Sequence, residues 1–263
     1  MFDYFKNRRR EALGGQPLSS EERALLDKNI PYLNSLSGED RSELESLVRV
    51  FLAEKSFEGC GGLTLTDEIK LTIAGQACLL LLHRETDIYP NVDSILVYPS
   101  AYRVPTEQYD GLVVVQEDQT RLGESWQRGL VVLAWDHVLS GAAQPCDGQN
   151  VVLHEFAHQL DFEDDASDGA PALATRAEYL AWARVMSREF RALCDADRAG
   201  TPIVLDRYGA TNPAEFFAVA TEAFFERPRV LRARHPELYA EFAHFFRQDP
   251  IRYSSEPTTA RHE

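Results

Sequence analysis

The chain has 263 residues, of which 27 are lysine or arginine and 42 are aspartate or glutamate, so its formal net charge is −15. A chain this acidic lacks the basic surface that binding to nucleic-acid phosphates or to an anionic membrane requires. Hydrophobic residues make up 44% and charged residues 26% of the sequence, which is the ordinary balance of a globular chain. We therefore expect neither a direct nucleic-acid partner nor a membrane partner.

The cysteines and the first residues indicate the compartment. Cys60, Cys78, Cys146 and Cys194 are widely spaced and include no CxxC pair. This spacing is typical neither of a disulfide framework nor of a cysteine-rich zinc site. The first residues also lack the long apolar stretch of a signal peptide. The sequence therefore predicts a cytoplasmic protein with reduced thiols.

Helices are predicted in the first third of the chain. Residues 1–18 are polar and basic, and we expect them to form a loosely ordered segment. A capping box that begins at Ser19 opens one helix, and a second helix with apolar residues at helical spacing follows Ser37. After a glycine-rich break, Asp67 is predicted to cap a buried helix that runs to about Leu82.

The middle of the chain changes to short apolar runs, which predict strands at residues 95–98, 112–115 and 130–135. From residue 150 onward, apolar residues at helical spacing predict helices at 150–161, 176–194, 213–226 and 236–247. The third of these helices begins with Asn212 as its cap and Pro213 in its first turn. The pattern predicts an α+β fold, mostly helical with a small mixed β-sheet beside the predicted helix at 150–161. We expect a single domain over residues 19–253 and a frayed tail at 254–263.

The segment that carries chemistry is an HExxH motif, which runs from His154 to His158 in the first of those four helices. Because residues four apart on a helix point the same way, both histidines could offer a ring nitrogen to one Zn²⁺. Glu155 lies beside them and is suited to act as general base toward a water whose pKa zinc lowers to about 7. The apolar flanks predict a buried helix. Histidines that only form hydrogen bonds within the core are the alternative.

A catalytic zinc ion needs a third protein ligand and one open position. Asp164 lies ten residues after His154, where another class of zinc peptidase places its third ligand, but that class needs a glycine where this chain has Asp161. On a continued helix, Asp164 would also fall about 80° away from the ligand face. Asp161, one turn after His158, is better suited to a hydrogen bond that orients an imidazole, or is simply a helix-end residue.

Stronger candidates lie on the predicted helix 213–226, which is apolar enough to be buried. Glu215 and Glu222 are seven residues apart and share one face of it, and a buried carboxylate needs a cationic partner. Either glutamate could bind the metal while the other holds a ligand histidine in place, and the more open N-terminus of the helix favours Glu215. The alternative for Glu222 is an ion pair with an arginine downstream: Arg227, Arg229 or Arg232.

Two segments together, HEFAHQLD at 154–161 and NPAEFFA at 212–218, resemble the Mlc titration factor A family of bacterial zinc peptidases. The same pair of motifs is similar to the catalytic domain of anthrax lethal factor. The resemblance to the titration-factor family covers about residues 20–250 and implies a zincin-like fold with one zinc ion per chain. It implies that the zinc ligands are His154, His158 and Glu215. It also implies that Glu155 is the catalytic base and that Tyr208 stabilises the oxyanion.

The resemblance further implies an aminopeptidase-like activity on peptides. It implies a regulatory role as well, because the member that gives the family its name binds a glucose-responsive transcriptional repressor. The alternative is a regulatory protein that sequesters such a repressor with little hydrolysis. The strand before the motif, 130–135, is predicted either to pair with the backbone of a peptide substrate or to be a plain core strand.

Overall fold

A computed structural model describes residues 2–100, 104–105, 112–113, 129–144 and 146–253. The α-helices within these ranges are α1 Phe2–Gly14, α2 Ser20–Asn29, α3 Gly38–Glu54, α4 Asp67–Leu79, α5 Trp135–Ala143, α6 Val151–Asp161, α7 Arg176–Ala199, α8 Pro213–Glu226, α9 Pro228–Arg234 and α10 Pro236–Phe246. The strands are β1 Ser56–Gly59, β2 Ser94–Tyr98, β3 Val104–Pro105, β4 Leu112–Val113 and β5 Leu130–Ala134. Of the helices in the described ranges, none combines the length and the apolar character that crossing a bilayer needs. The tail predicted at 254–263 lies outside the described residues.

The N-terminal segment differs from its prediction. Residues 1–18, expected to be loosely ordered, contain helix α1, which packs against α3. Arg10 gives the physical reason, because its guanidinium forms ion pairs with Glu54 and with Asp87, each at 2.5 Å. Leu18 is buried in the core. Basic residues in this segment thus neutralise acidic neighbours from distant parts of the chain, which a sequence pattern does not display.

The helix caps near the start of the chain follow the sequence in part. The capping box at Ser19 forms at the start of α2 as predicted, and Ser37, after which a helix was predicted, caps α3. Helix α4, however, is capped by Thr66, whose side chain accepts a hydrogen bond from the backbone N–H of Ile69. The predicted cap, Asp67, is instead the first helical residue, where its negative charge interacts favourably with the positive end of the helix dipole.

The main sheet has three parallel strands in the order β1-β2-β5. The prediction of a mixed sheet is therefore wrong for this sheet. The predicted strand at 112–115 does not join it: β4 pairs with β3 in a separate antiparallel ladder, and residues 114–115 lie outside the described part of the chain. Strand β1 was not predicted, because it is short and only Phe57 among its residues is strongly apolar.

Strand β5 leads directly into helix α5, which the sequence analysis did not predict. The predicted strand 130–135 ends at Ala134, and Trp135 opens the helix. Both β5 and α5 pack against α6, the helix that contains the HExxH motif. The sheet therefore lies beside that helix, as the sequence predicted.

Aromatic side chains fix helix α8 in the core. Trp182 of α7 stacks on Phe242 of α10, with ring centroids 5.4 Å apart and 19° between the ring planes. Phe217 of α8 packs on both rings, with centroid distances of 5.7 Å and 5.6 Å. Two turns further along α8, Phe224 packs on Phe246 at 5.6 Å. Helix α8 also packs against α6, so this cluster holds the glutamates of α8 at a fixed position relative to the two histidines.

Candidate metal centre

Helix α6 forms where the sequence predicts it and presents both histidines. Asn150 caps the helix, because its Oδ1 accepts hydrogen bonds at 3.1 Å from the backbone N–H groups of Val152 and Leu153. The His154 side chain is 13% exposed, whereas that of His158 is 1% exposed. One ring therefore reaches the edge of the site, and the other lies inside the core.

Glu215 lies in the first turn of α8, as predicted. The side chain of Asn212 accepts a hydrogen bond from the backbone N–H of Glu215 at 2.9 Å, and Pro213 occupies the start of the helix. This is the cap that the sequence indicates, and it fixes where α8 begins. Glu215 is buried, so its carboxylate requires a cationic or hydrogen-bonding partner.

The side chains of His154, His158 and Glu215 converge on one point. The Nε2 atom of His154 lies 3.0 Å from Oε2 of Glu215 and 3.2 Å from Nε2 of His158. The Nε2 atom of His158 lies 3.4 Å from the same Oε2 of Glu215. Donor atoms roughly 2.0–2.1 Å from a tetrahedral metal ion lie about 3.3 Å apart. The three donors are therefore spaced like three corners of such a tetrahedron, and these residues fit a metal ion.

The charges around this point also suit a cation. Burial lowers the pKa of His154, but the carboxylates of Glu222 and Glu215 outweigh it and raise that pKa well above its usual value. Burial opposes the ionisation of Glu215, yet its hydrogen bonds to the two histidines hold its pKa at about 2. Burial lowers the pKa of His158. Metal ligands must be deprotonated, so a metal ion bound here would take the place of the proton that the two carboxylates favour on His154.

Glu155 and Tyr208 lie beside His154. Glu155 follows His154 on α6 and is partly exposed, and its negative charge is close enough to raise the pKa of His154. Tyr208 lies in a 3-10 turn, where its backbone N–H donates to Oδ1 of Asp206 at 2.8 Å. Its ring centroid is 6.0 Å from that of His154. The residues that the resemblance implies as base and oxyanion stabiliser are thus neighbours of the same histidine.

Glu222 contacts the opposite side of the His154 ring. Its Oε1 lies 2.8 Å from Nδ1 of His154, and its Oε2 accepts a hydrogen bond from the backbone N–H of Asn150. Of the roles that the sequence left open for Glu222, this contact matches that of a residue that holds the imidazole of His154 in place. Glu215, not Glu222, has its carboxylate among the converging donor atoms.

The two aspartates after the motif lie elsewhere. Asp164 is exposed, and its Oδ1 accepts a hydrogen bond from the backbone N–H of Ala166. Asp161 is buried, and its Oδ2 accepts a hydrogen bond from the backbone N–H of Gly169 at 3.0 Å. Of the two roles that the sequence left open for Asp161, this contact is that of a helix-end residue. The reason is that α6 ends at Asp161, so the side chain caps the following loop.

Sequence reasoning missed Glu226, one turn beyond Glu222. It is buried, with Oε1 accepting from the side-chain amide of Asn150 at 3.1 Å and Oε2 accepting from the backbone N–H of Gly148 at 3.3 Å. The sequence did hold a signal, because Glu226 continues the face of α8 that carries Glu215 and Glu222. The loop before α6 is thereby tied to the end of α8.

Glu226 should make the stability of the fold depend on pH. Burial raises the pKa of Glu226 from 4.5 to about 9. The unfolded chain releases this proton at a lower pH than the folded chain does. The contribution to the free energy of unfolding therefore falls as pH rises between about 4.5 and 9, by up to about 1.4 kcal/mol per pH unit. We expect Glu226→Gln to flatten this dependence in urea unfolding measured between about pH 6 and pH 8.

The control for that measurement is Glu58→Gln, the same chemical change at an exposed position on β1. Its unfolding free energy should follow the pH dependence of the wild type. If the unfolding free energy of Glu226→Gln showed the same pH dependence as that of the wild type, the buried carboxyl group would not be protonated in the folded state at neutral pH.

Comparison with known proteins indicates a metallopeptidase, which is the class of protein that the three converging donors also suggest. The chain belongs to the glucose-regulated metallo-peptidase M90 family, whose model matches residues 4–247. A metal ion is therefore expected of the family as well as of the geometry. Among the described residues, the donor group that would hold it is His154, His158 and Glu215.

Curated relatives extend over most of the chain. An uncharacterized protein of Synechocystis sp. is 42% identical over 245 residues, which cover 92% of this chain and 89% of the relative. Mlc titration factor A of Klebsiella pneumoniae is 34% identical over 226 residues, or 84% of each chain. Mlc titration factor A of Yersinia pestis is 33% identical, with 85% and 83% covered. The resemblance to the Mlc titration factor A family, predicted from the two motifs, is confirmed.

Proposed function

We propose that this protein is a cytoplasmic, zinc-dependent peptidase with a zincin-like fold, and that His154, His158 and Glu215 bind one Zn²⁺. The observation that carries the proposal is the convergence of their three donor atoms at 3.0–3.4 Å. Two imidazoles and one carboxylate are a ligand set found in catalytic zinc sites, and such sites keep a fourth position for water or substrate. Mg²⁺ and Ca²⁺ prefer oxygen ligands and suit this site less well.

The residues around the donors supply proton transfer and charge stabilisation. Zinc bound at this site would lower the pKa of a water molecule and polarise the carbonyl group of the substrate. Glu155 accepts a proton from the attacking water and passes it to the leaving amine. The hydroxyl of Tyr208 donates a hydrogen bond to the carbonyl oxygen as negative charge develops there. The position of both side chains beside His154 supports these roles.

A peptide substrate lies along β5 in this proposal. The strand pairs with β2 on one side and packs against α6, the helix that carries two of the three donors. Within the described residues, no strand pairs with its other edge. An extended peptide could add to that edge through backbone hydrogen bonds.

The test of this function combines metal content with substrate choice. We expect elemental analysis to find about one zinc ion per chain, as a mononuclear three-ligand site requires. We assign the aminopeptidase type on the family resemblance, so an aminoacyl anilide should be hydrolysed and its N-acetylated form should not. A chelator should abolish hydrolysis and added zinc should restore it. Metal-free protein that hydrolyses the anilide fully would contradict the zinc peptidase, whereas equal cleavage of both anilides would contradict only the aminopeptidase type.

A second function, binding of a transcriptional repressor, is supported by the relatives named Mlc titration factor A, which match 84–85% of this chain. The two functions are separable by experiment. Binding of a repressor that survives both chelation and Glu155→Ala would favour a sequestering role with little hydrolysis. Binding that requires the zinc and Glu155 would favour the peptidase.

A further inference from the structure

Both ring nitrogens of His154 are held by one helix. Glu215 and Glu222 lie two turns apart on α8, and they contact opposite sides of the same imidazole. The Nε2 atom lies 3.0 Å from the Glu215 carboxylate, and the Nδ1 atom lies 2.8 Å from that of Glu222. The ring therefore has little freedom to rotate, because a rotation about its Cβ–Cγ bond would break both contacts.

Glu222 also anchors the helix that carries His154. Its second oxygen accepts a hydrogen bond from the backbone N–H of Asn150, the residue that caps α6. The side-chain amide of Asn150 donates in turn to Oε1 of Gln76 on α4 at 2.9 Å. A single carboxylate thus fixes both the start of α6 and the imidazole one turn further along it.

We propose that Glu222 is a positioning residue for the metal centre: its carboxylate keeps the proton of His154 on Nδ1 and thereby directs the Nε2 lone pair to the metal. This inference rests on the proposed zinc site and adds to it a residue outside the ligand set. A carboxylate that accepts the N–H of a ligand histidine fixes the tautomer and raises the basicity of the ligand. Glu222 contributes to metal affinity through His154 and does not touch the reacting atoms.

Glu222→Gln is the test, because an amide has one acceptor oxygen where the carboxylate has two. The variant can accept from Asn150 or from His154, but not from both. We expect its affinity for zinc, measured by competition with a chromogenic chelator, to be about 10- to 100-fold weaker than that of the wild type. Circular dichroism of both metal-free proteins would establish that the variant is folded.

The chain offers a matched control in a second histidine–glutamate pair. Glu189 of α7 has its Oε2 2.8 Å from Nδ1 of His235, the same contact at the same distance, and the Glu189 side chain is 12% exposed against 10% for Glu222. Because His235 is not among the converging donors, Glu189→Gln should leave zinc affinity unchanged. If both variants bound zinc like the wild type, or both lost affinity equally, the positioning role of Glu222 would be refuted.

A spectroscopic measurement on the wild type needs no variant. In the zinc-loaded protein, a two-bond ¹H–¹⁵N spectrum should show His154 protonated at Nδ1, with that proton shifted downfield by its carboxylate acceptor. A His154 ring protonated at Nε2 instead would overturn the proposal even if Glu222→Gln failed to fold. Wild-type protein that bound no zinc at all would refute the proposed function itself, which is a distinguishable outcome.

Discussion

Glu155→Ala is expected to retain zinc and to lose peptide hydrolysis by about 10²- to 10⁴-fold, the range that general acid–base catalysis contributes. The physical reason is that Glu155 shares its helix with His154 but lies outside the group of converging donor atoms. Removing it leaves the metal ligands in place. It deprives the attacking water of a proton acceptor and the leaving amine of a proton donor.

The measurement is kcat and KM on an aminoacyl anilide, together with zinc content on the same samples. We expect the loss to fall on kcat, because proton transfer contributes in the transition state and little to substrate binding. The exposed glutamate variant Glu58→Gln should match the wild type in both quantities. Full activity in Glu155→Ala would remove Glu155 as the base, and loss of zinc would show that it supports the metal instead.

The two helices that build the metal centre were predictable because their signals are local. Asn212 and Pro213 define the start of α8, and the apolar spacing that follows predicts that the helix is buried. The predicted helix at 213–226 therefore has the bounds that the structure shows. The HExxH spacing likewise places two histidines on one face of α6. The open N-terminus of α8 already favours Glu215 over Glu222. That Glu215 is a ligand together with the two histidines follows from the family resemblance, because spacing along the chain does not state how two helices pack.

The parts that were missed or predicted wrongly depend on distant contacts. Strand β1 pairs in parallel with β2. In this pairing Phe57 lies opposite Ile95, which is 38 residues further along the chain. Nothing in four residues with one strong apolar side chain encodes that partner or its direction. Residues 1–18 were expected to be loose for the same reason, since Arg10 finds its carboxylates at Glu54 and Asp87. Glu226 was overlooked because its hydrogen-bonding partners come from the loop before α6.

His154→Ala is expected to remove both the metal and the activity. A four-ligand structural zinc site is worth roughly 10–16 kcal/mol, so one ligand contributes about 3 kcal/mol and its loss weakens binding by about 10²-fold or more. The effect should exceed that of Glu222→Gln, because His154 donates to the metal and Glu222 only orients the donor. Zinc competition and anilide hydrolysis would measure the two losses.

The same variant should also destabilise the metal-free protein, for an electrostatic reason. Glu215 and Glu222 are both buried against His154, and removing the partner of a buried ion pair costs about 3–5 kcal/mol. The cost should be largest near neutral pH and shrink in acid, where the two carboxylates can take up protons. His235→Ala breaks the equivalent contact with Glu189 and should keep zinc and hydrolysis. If His154→Ala bound zinc as tightly as His235→Ala does, the convergence of the three donors would not be a metal site, and the proposed function would lose the observation that carries it.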